Sequence, residues 1–231
     1  MKNLIVIALT IILSFQLFSQ NNENDEKNFL KNTRQLIYEG KRSGEGYFSQ
    51  DGRYMIFQSE REPDNPFYQI YILDFETGDI NRVSPGHGKT TCSFFQWGDD
   101  GDRVLFASSH LDPDVLKEEA EEYKMREEGK AKRYKWDYEP YMDIFTTNRD
   151  GSDIKQLTTA MGYDAEGAYS PDGKLIVFAS NRKLYADNLT KEEKEKAEVD
   201  PSYFCDLYIM NADGSDMHIL TDAKGYDGGP F

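Results

Sequence analysis

Histidine and cysteine are nearly missing from this chain: its 231 residues include three of the first and two of the second. Two cysteines are too few for a disulfide framework or a closed zinc site. Cys92 and Cys205 fall at non-equivalent places, so both are expected to be buried free thiols. His87, His110 and His218 are scattered along the chain. There is no His-Glu-x-x-His helix, no Gly-x-Ser-x-Gly elbow and no Gly-x-x-x-x-Gly-Lys loop. Carboxylates are too abundant for any pair to stand out as a glycosidase dyad. The sequence shows no catalytic constellation.

Positive charge is scarce as well. Lys and Arg number 27 against 42 Asp and Glu, a formal net charge of −15. That balance argues against nucleic-acid binding by counterion release and leaves cations, basic proteins or polar ligands as partners. Long apolar runs are absent except for Leu4 to Leu13. With Lys2 before it and Leu17-Phe18-Ser19 after it, residues 1–19 read as a secretory signal peptide. No cysteine follows to carry a lipid anchor, and residues 20–32, rich in Asn and Glu, read as a flexible tether. The expected location is periplasmic or secreted, with no integral membrane span after cleavage.

What the chain does have is an internal repeat. Ser170-Pro171-Asp172-Gly173-Lys174 runs into Phe178-Ala179-Ser180-Asn181-Arg182, and an earlier copy runs from Phe48-Ser49-Gln50-Asp51-Gly52 to Phe57-Gln58-Ser59-Glu60-Arg61. A degenerate copy runs from Trp97-Gly98-Asp99-Asp100-Gly101 to Phe106-Ala107-Ser108-Ser109-His110. Each is followed by a second apolar run that ends at Thr77-Gly78, Asp150-Gly151 or Asp213-Gly214. Gly52, Gly101, Gly173 and Gly214 are read as structural turn residues that supply the positive φ of tight hairpins. Each unit therefore predicts four short strands, and units that cannot bury a sheet alone must stack. An all-β propeller of four-stranded antiparallel blades follows. Three blades are present, near 44–84, 91–158 and 165–221, too few to close a ring. Residues 225–231 repeat 162–169 and read as the start of a further blade, and 33–38 as an orphan outer strand.

These motifs, with Asp206-Leu207-Tyr208-Ile209-Met210-Asn211-Ala212-Asp213-Gly214-Ser215, resemble the TolB-type, WD-like propeller repeat across residues 33–231. The chain is then the N-terminal part of a longer protein. The resemblance implies an exported, non-catalytic propeller that binds an envelope protein, a peptide or a glycan. The alternative it implies is a propeller that gates a hydrolase of the prolyl oligopeptidase kind, with the catalytic domain beyond residue 231. It also makes Arg61 and Arg182 structural, paired with carboxylates such as Asp206.

Function is expected on the face that carries the second-to-third strand connections and the blade-to-blade loops. Two insertions lie there, near 111–140 and 183–204. The first should form a helix from Asp112-Pro113, with Val115, Leu116, Ala120 and Tyr123 at helical spacing. The second starts at a Thr190-Lys191-Glu192-Glu193 capping box. The blade-to-blade loops carry Glu45, Asp164, Glu166 and Asp227, expected to ring the channel mouth as ligand-binding candidates. Converging carboxylates suit a cationic ligand or Ca²⁺, but no loop has a dense Asp-x-Asp-x-Asp pattern, so no resident cofactor or metal site is assigned. His110 stands where the other copies have arginine and is a further candidate.

Overall fold

Alternating apolar residues between Asp-Gly turns give each repeat four antiparallel strands in the computed structural model, which describes residues 28–98, 101–130, 138–186 and 189–230. The expected signal peptide and the tether up to residue 27 lie outside the described residues. The first blade is β1 (Arg42–Phe48), β2 (Tyr54–Glu60), β3 (Gln69–Asp74) and β4 (Ile80–Arg82), paired in that order. The second is β5 (Thr90–Phe95), β6 (Arg103–Ser108), β7 (Tyr141–Asn148) and β8 (Lys155–Gln156). The third is β9 (Gly162–Tyr169), β10 (Leu175–Ser180), β11 (Asp206–Asn211) and β12 (His218–Ile219). A short parallel bridge from Tyr141 and Met142 to Gly162 and Tyr163 joins the second and third blades into one eight-stranded sheet.

Two apolar layers glue the blades. Ile56, Ile70, Phe95, Val104, Phe106 and Phe145 fill the space between the first and second. Leu105, Ile144, Tyr163, Ile176, Phe178 and Tyr208 fill that between the second and third. Because side chains alternate across a strand, a blade covered on both faces is buried throughout. β3 and β7 have that pattern, whereas β11 buries only Asp206, Tyr208 and Met210 and leaves Leu207 and Ile209 half-exposed. The third blade is packed on one face only.

Turn chemistry agrees with the repeat in two blades and departs from it in one. Ser49 and Ser170 each donate from Oγ to the following Asp, 2.6 Å to Asp51 and Asp172, and Gly52 and Gly173 take φ of +70° and +71°. Gly214 turns at +88°. Gly101 does not: in the second blade Gly98, standing in the Ser position, takes the positive φ of +91°. This turn and that of the third blade crowd each other. A Cβ on Gly98 would lie 2.6 Å from the Asp172 carbonyl oxygen, and one on Gly173 would lie 2.0 Å from that of Trp97.

Three other expectations are corrected. Residues 33–38 form no strand. They belong to a separate N-terminal unit ending at Tyr38, in which Phe29 and Tyr38 are exposed. The residues before Gly167, read as a loop, belong instead to β9, which starts at Gly162 and stays paired with β10 across a bulge.

The third correction concerns the first insertion. Its helix α1 (Val115–Glu127) starts two residues past Pro113, with Asp114 as its N-cap. The apolar residues do not dock it: Leu116 is 63% exposed and Ala120 is exposed. Glu119, Tyr123 and Arg126, one polar stripe at i, i+4 and i+7, do so instead. Gly88 N donates to Glu119 Oε1 (2.7 Å), Tyr123 Oη donates to the Pro63 carbonyl (2.7 Å), and Arg126 reaches Glu60 (2.5 Å) and the Pro66 carbonyl (2.8 Å). Loops expose backbone carbonyls and amides rather than an apolar groove, so a polar stripe is what matches them. The second insertion forms α2 (Lys191–Val199), which the Thr190–Glu193 capping box starts and which buries none of its residues.

Candidate functional site

The innermost strand of every blade carries the same irregularity. Pairing slips between Gly44 and Tyr47 in β1, between Thr91 and Phe94 in β5, and opposite Val177–Ala179 in β9. At each slip one non-glycine residue is left-handed: Glu45 at φ +50°, Cys92 at +52° and Glu166 at +58°. A bulge bends its strand and re-aims the side chain. Here three equivalent bulges turn toward one cavity of about 490 Å³, walled by Tyr47, Phe94, Tyr138 and Tyr226. Tyr138 sits at the end of the first insertion, with its ring 5.0 Å from Tyr163. The Tyr47 and Phe94 rings meet tilted, with centroids 5.2 Å apart.

Two of the four predicted carboxylates line this cavity, Glu45 and Glu166. Glu166 is fixed by the Tyr226 hydroxyl, 2.7 and 2.8 Å from its two oxygens, and by the Gly229 amide at 2.5 Å. Loss of solvation pushes the Glu45 carboxyl above the usual range, and the Glu166 charge adds to that push. Hydrogen bonding to Cys92 opposes it. Although Glu45 is exposed along its length, its carboxyl is crowded enough by protein for this effect. Burial pushes the Cys92 thiol far upward, and Cys205 up to about 12. Both cysteines are free and buried, and both thiols are protonated and weakly nucleophilic at neutral pH.

Asp164 lies elsewhere. It is fully buried and accepts from Ser180 Oγ at 2.5 Å and from Arg182 Nη2 at 2.6 Å. Asp227 is not among the described residues that line the cavity; its amide donates to the Cys205 carbonyl at 2.9 Å. Asp206 pairs with Lys183 at 2.9 Å, not with either arginine. Arg182 turns to Asp164 instead, with its guanidinium 4.7 Å from the Tyr208 ring.

The Asp164–Ser180–Arg182 arrangement has reduced copies in the other blades. In the first, Ser43 faces Ser59 at 2.9 Å and Arg61 Nε donates to Ser59 Oγ at 3.1 Å, over the Tyr71 ring at 4.7 Å. In the second, Thr90 faces Ser108 at 3.0 Å, and His110 Nδ1 lies 3.0 Å from Ser108 Oγ with its ring 4.4 Å from Phe145. His110 fills the arginine's place between serine and aromatic ring. Burial, with a smaller contribution from His87, holds its pKa down at about 4. A neutral imidazole tilted against Phe145 and away from the cavity is a packing residue in the arginine's place.

Sequence reasoning missed Cys92, Tyr138 and Tyr226 as cavity residues. The signal was present for two of them. Cys92 occupies the repeat position of Glu45 and Glu166, and Tyr226 that of Tyr163. Tyr138 had none, because it lies in an insertion with no counterpart in the other blades.

Comparison with known proteins bears on the whole domain. No protein-family model matches the chain. A solved structure of a TolB from Agrobacterium tumefaciens superposes with a TM-score of 0.52, covering 84% of this chain and 54% of that one at 20% identity. The fold is that of a TolB-like propeller. TolB from Acinetobacter baumannii is also similar, at 17% identity over 76% of this chain and 31% of that one, with a TM-score of 0.45. In sequence, the chain is 29% identical over 153 residues to a Bacillus subtilis protein named uncharacterized peptidase YuxL. That match takes in 61% of this chain and 22% of YuxL. The chain thus spans about half of the Agrobacterium TolB and under a quarter of YuxL.

Proposed function

We propose that this TolB-like propeller region is an exported binding module that receives part of an envelope protein, a peptide or a glycan in the cavity where its innermost strands converge. The observation that carries this reading is the convergence itself. Equivalent bulges from three blades and one insertion residue build a single aromatic-walled cavity of about 490 Å³, within the usual range for small-ligand and peptide-end sites. Among the described residues there is no candidate nucleophile beside a base, and the thiol nearest the cavity is buried and protonated. The polar anchoring of α1 on the loops of the first blade suits a fixed rim.

A set of short peptides and peptidoglycan fragments, titrated calorimetrically into the full chain, tests the reading. Phe94→Ala and Tyr138→Ala should each weaken any bound member about tenfold, the scale of an aromatic anchor in a pocket. Binding undiminished in both variants would place the site elsewhere.

The similarity to YuxL supports a second reading, in which this region covers a hydrolase domain that follows residue 231 in the full polypeptide. Amide hydrolysis by the protein encoded by the whole reading frame, lost when the segment after residue 231 is removed, would favour it. A whole protein inert toward peptide amides would leave the binding module standing.

A further inference from the structure

The cavity holds two carboxylates and no balancing charge: no Lys, Arg or His is among the described residues that line it. Glu166 is held in place by Tyr226 and Gly229, so it cannot swing out to solvent without breaking those bonds. One more polar group is unsatisfied. Ser93 lines the cavity, is 2% exposed, and its Oγ has no hydrogen-bond partner among the described residues. Ser93 is also the one side chain at its bulge position, where the first and third blades have Gly46 and Gly167. A buried hydroxyl without a partner is costly unless something fills its place.

We propose that this cavity binds a primary ammonium group carried on an apolar stem, with Glu45 and Glu166 as its counter-charges, Ser93 as a further acceptor and Tyr47, Phe94 and Tyr138 around the stem. This rests on the cavity being the binding site, as argued above. Three N–H donors match three acceptors, charge-assisted bonds are the strong ones, and aromatic faces attract a cation. A hard divalent metal fits less well. Ca²⁺ takes six to eight oxygens, and no group of three metal-ligating side chains stands together among the described residues. The same chemistry is presented by a peptide's N-terminal amine beside an apolar side chain and by a free arylalkylamine.

The test uses the full chain with four calorimetric titrants: phenethylammonium, N-acetylphenethylamine, phenylalanyl-alanine amide and CaCl₂. The amines should bind at least about tenfold tighter than the acetylated compound, the cost of losing charge-assisted bonds. Glu45→Gln and Ser93→Ala should each weaken the amines several-fold and leave the acetylated compound unchanged, which also reports that both variants are folded. Tighter binding of the dipeptide amide identifies the source as a peptide end; tighter binding of phenethylammonium identifies a small amine. Equal affinity for the amine and its acetylated form would overturn the ammonium assignment and leave the binding site intact. No binding of any organic titrant would overturn both. Ca²⁺ binding that displaces the amines and is lost in Glu45→Gln would make this a metal site and overturn the proposal.

Discussion

At the scale of residues, one buried and one half-buried group pull the acid stability of this protein in opposite directions. His110 has a folded pKa of about 4 against an ordinary 6.5, mainly because burial disfavours its charge. The unfolded chain therefore binds a proton below pH 6.5 that the folded chain refuses until about pH 4. Its contribution is present above pH 6.5 and lost as pH falls toward 4. Asp143 is raised from 3.8 to about 6, chiefly by desolvation, against hydrogen bonds from Thr158 and Gln156. Its contribution is present below pH 3.8 and lost as pH rises toward 6. Relative to the parent, Asp143→Asn should gain stability more steeply from pH 4 to 6, and His110→Asn should lose it more steeply, in urea midpoints taken across that range. The same slope in both variants would mean neither group titrates as its surroundings require. His110 was visible in the sequence as a departure from arginine, but its neutral state was not. That state depends on burial beneath the folded blade, with a smaller contribution from His87, which only the structure reveals.

Among the elements, the middle strands were the most legible, because the short apolar runs Ile176 to Ala179 and Met55 to Phe57 follow directly on the Asp-Gly turn signals. The innermost strands were less so. A bulge at Glu45, Cys92 or Glu166 breaks the period of two, so the residues before it look like loop. Helix α1 was legible from its helical spacing, but of the residues that make its contacts, Glu119, Tyr123 and Arg126, that spacing had singled out only Tyr123. The key one is Arg126 to Glu60, a carboxylate 3% exposed that also pairs with Arg42 at 2.7 Å. Arg126→Ala leaves Glu60 with Arg42 and the more distant Lys41, so the cost should be about 1–3 kcal/mol, less than for a fully orphaned buried charge. Urea denaturation measures it, and amide exchange should rise through α1. A variant with parent stability and a protected helix would show that the apolar residues anchor it after all.

At the scale of the whole molecule, the stacking rule has a direct energetic consequence. Ile144 and Leu207 hold equivalent places on β7 and β11, both on the face turned toward the next blade. Ile144 is fully buried under the third blade, whereas Leu207 remains half-exposed. Ile144→Ala should cost about 3–4 kcal/mol and Leu207→Ala about 1 kcal/mol, since the cavity penalty scales with burial. Equal costs in chemical denaturation would mean that the third blade is covered in solution. Asp227 N bonds the Cys205 carbonyl at 2.9 Å just as Thr90 N bonds that of Tyr68 at 3.1 Å, so residues 225–230 repeat an inter-blade junction. The antiparallel propeller-like fold was readable from the repeat, whereas the cavity required knowing which bulge residues meet.

The most direct test of the account is where a ligand touches the protein. Titrating phenethylammonium into the isotopically labelled full chain and following backbone amides should give shifts confined to residues 45–47, 92–94, 166–168 and 226–230. Shifts on α1, α2 or the Asp-Gly turns, with none at the three bulges, would contradict the account.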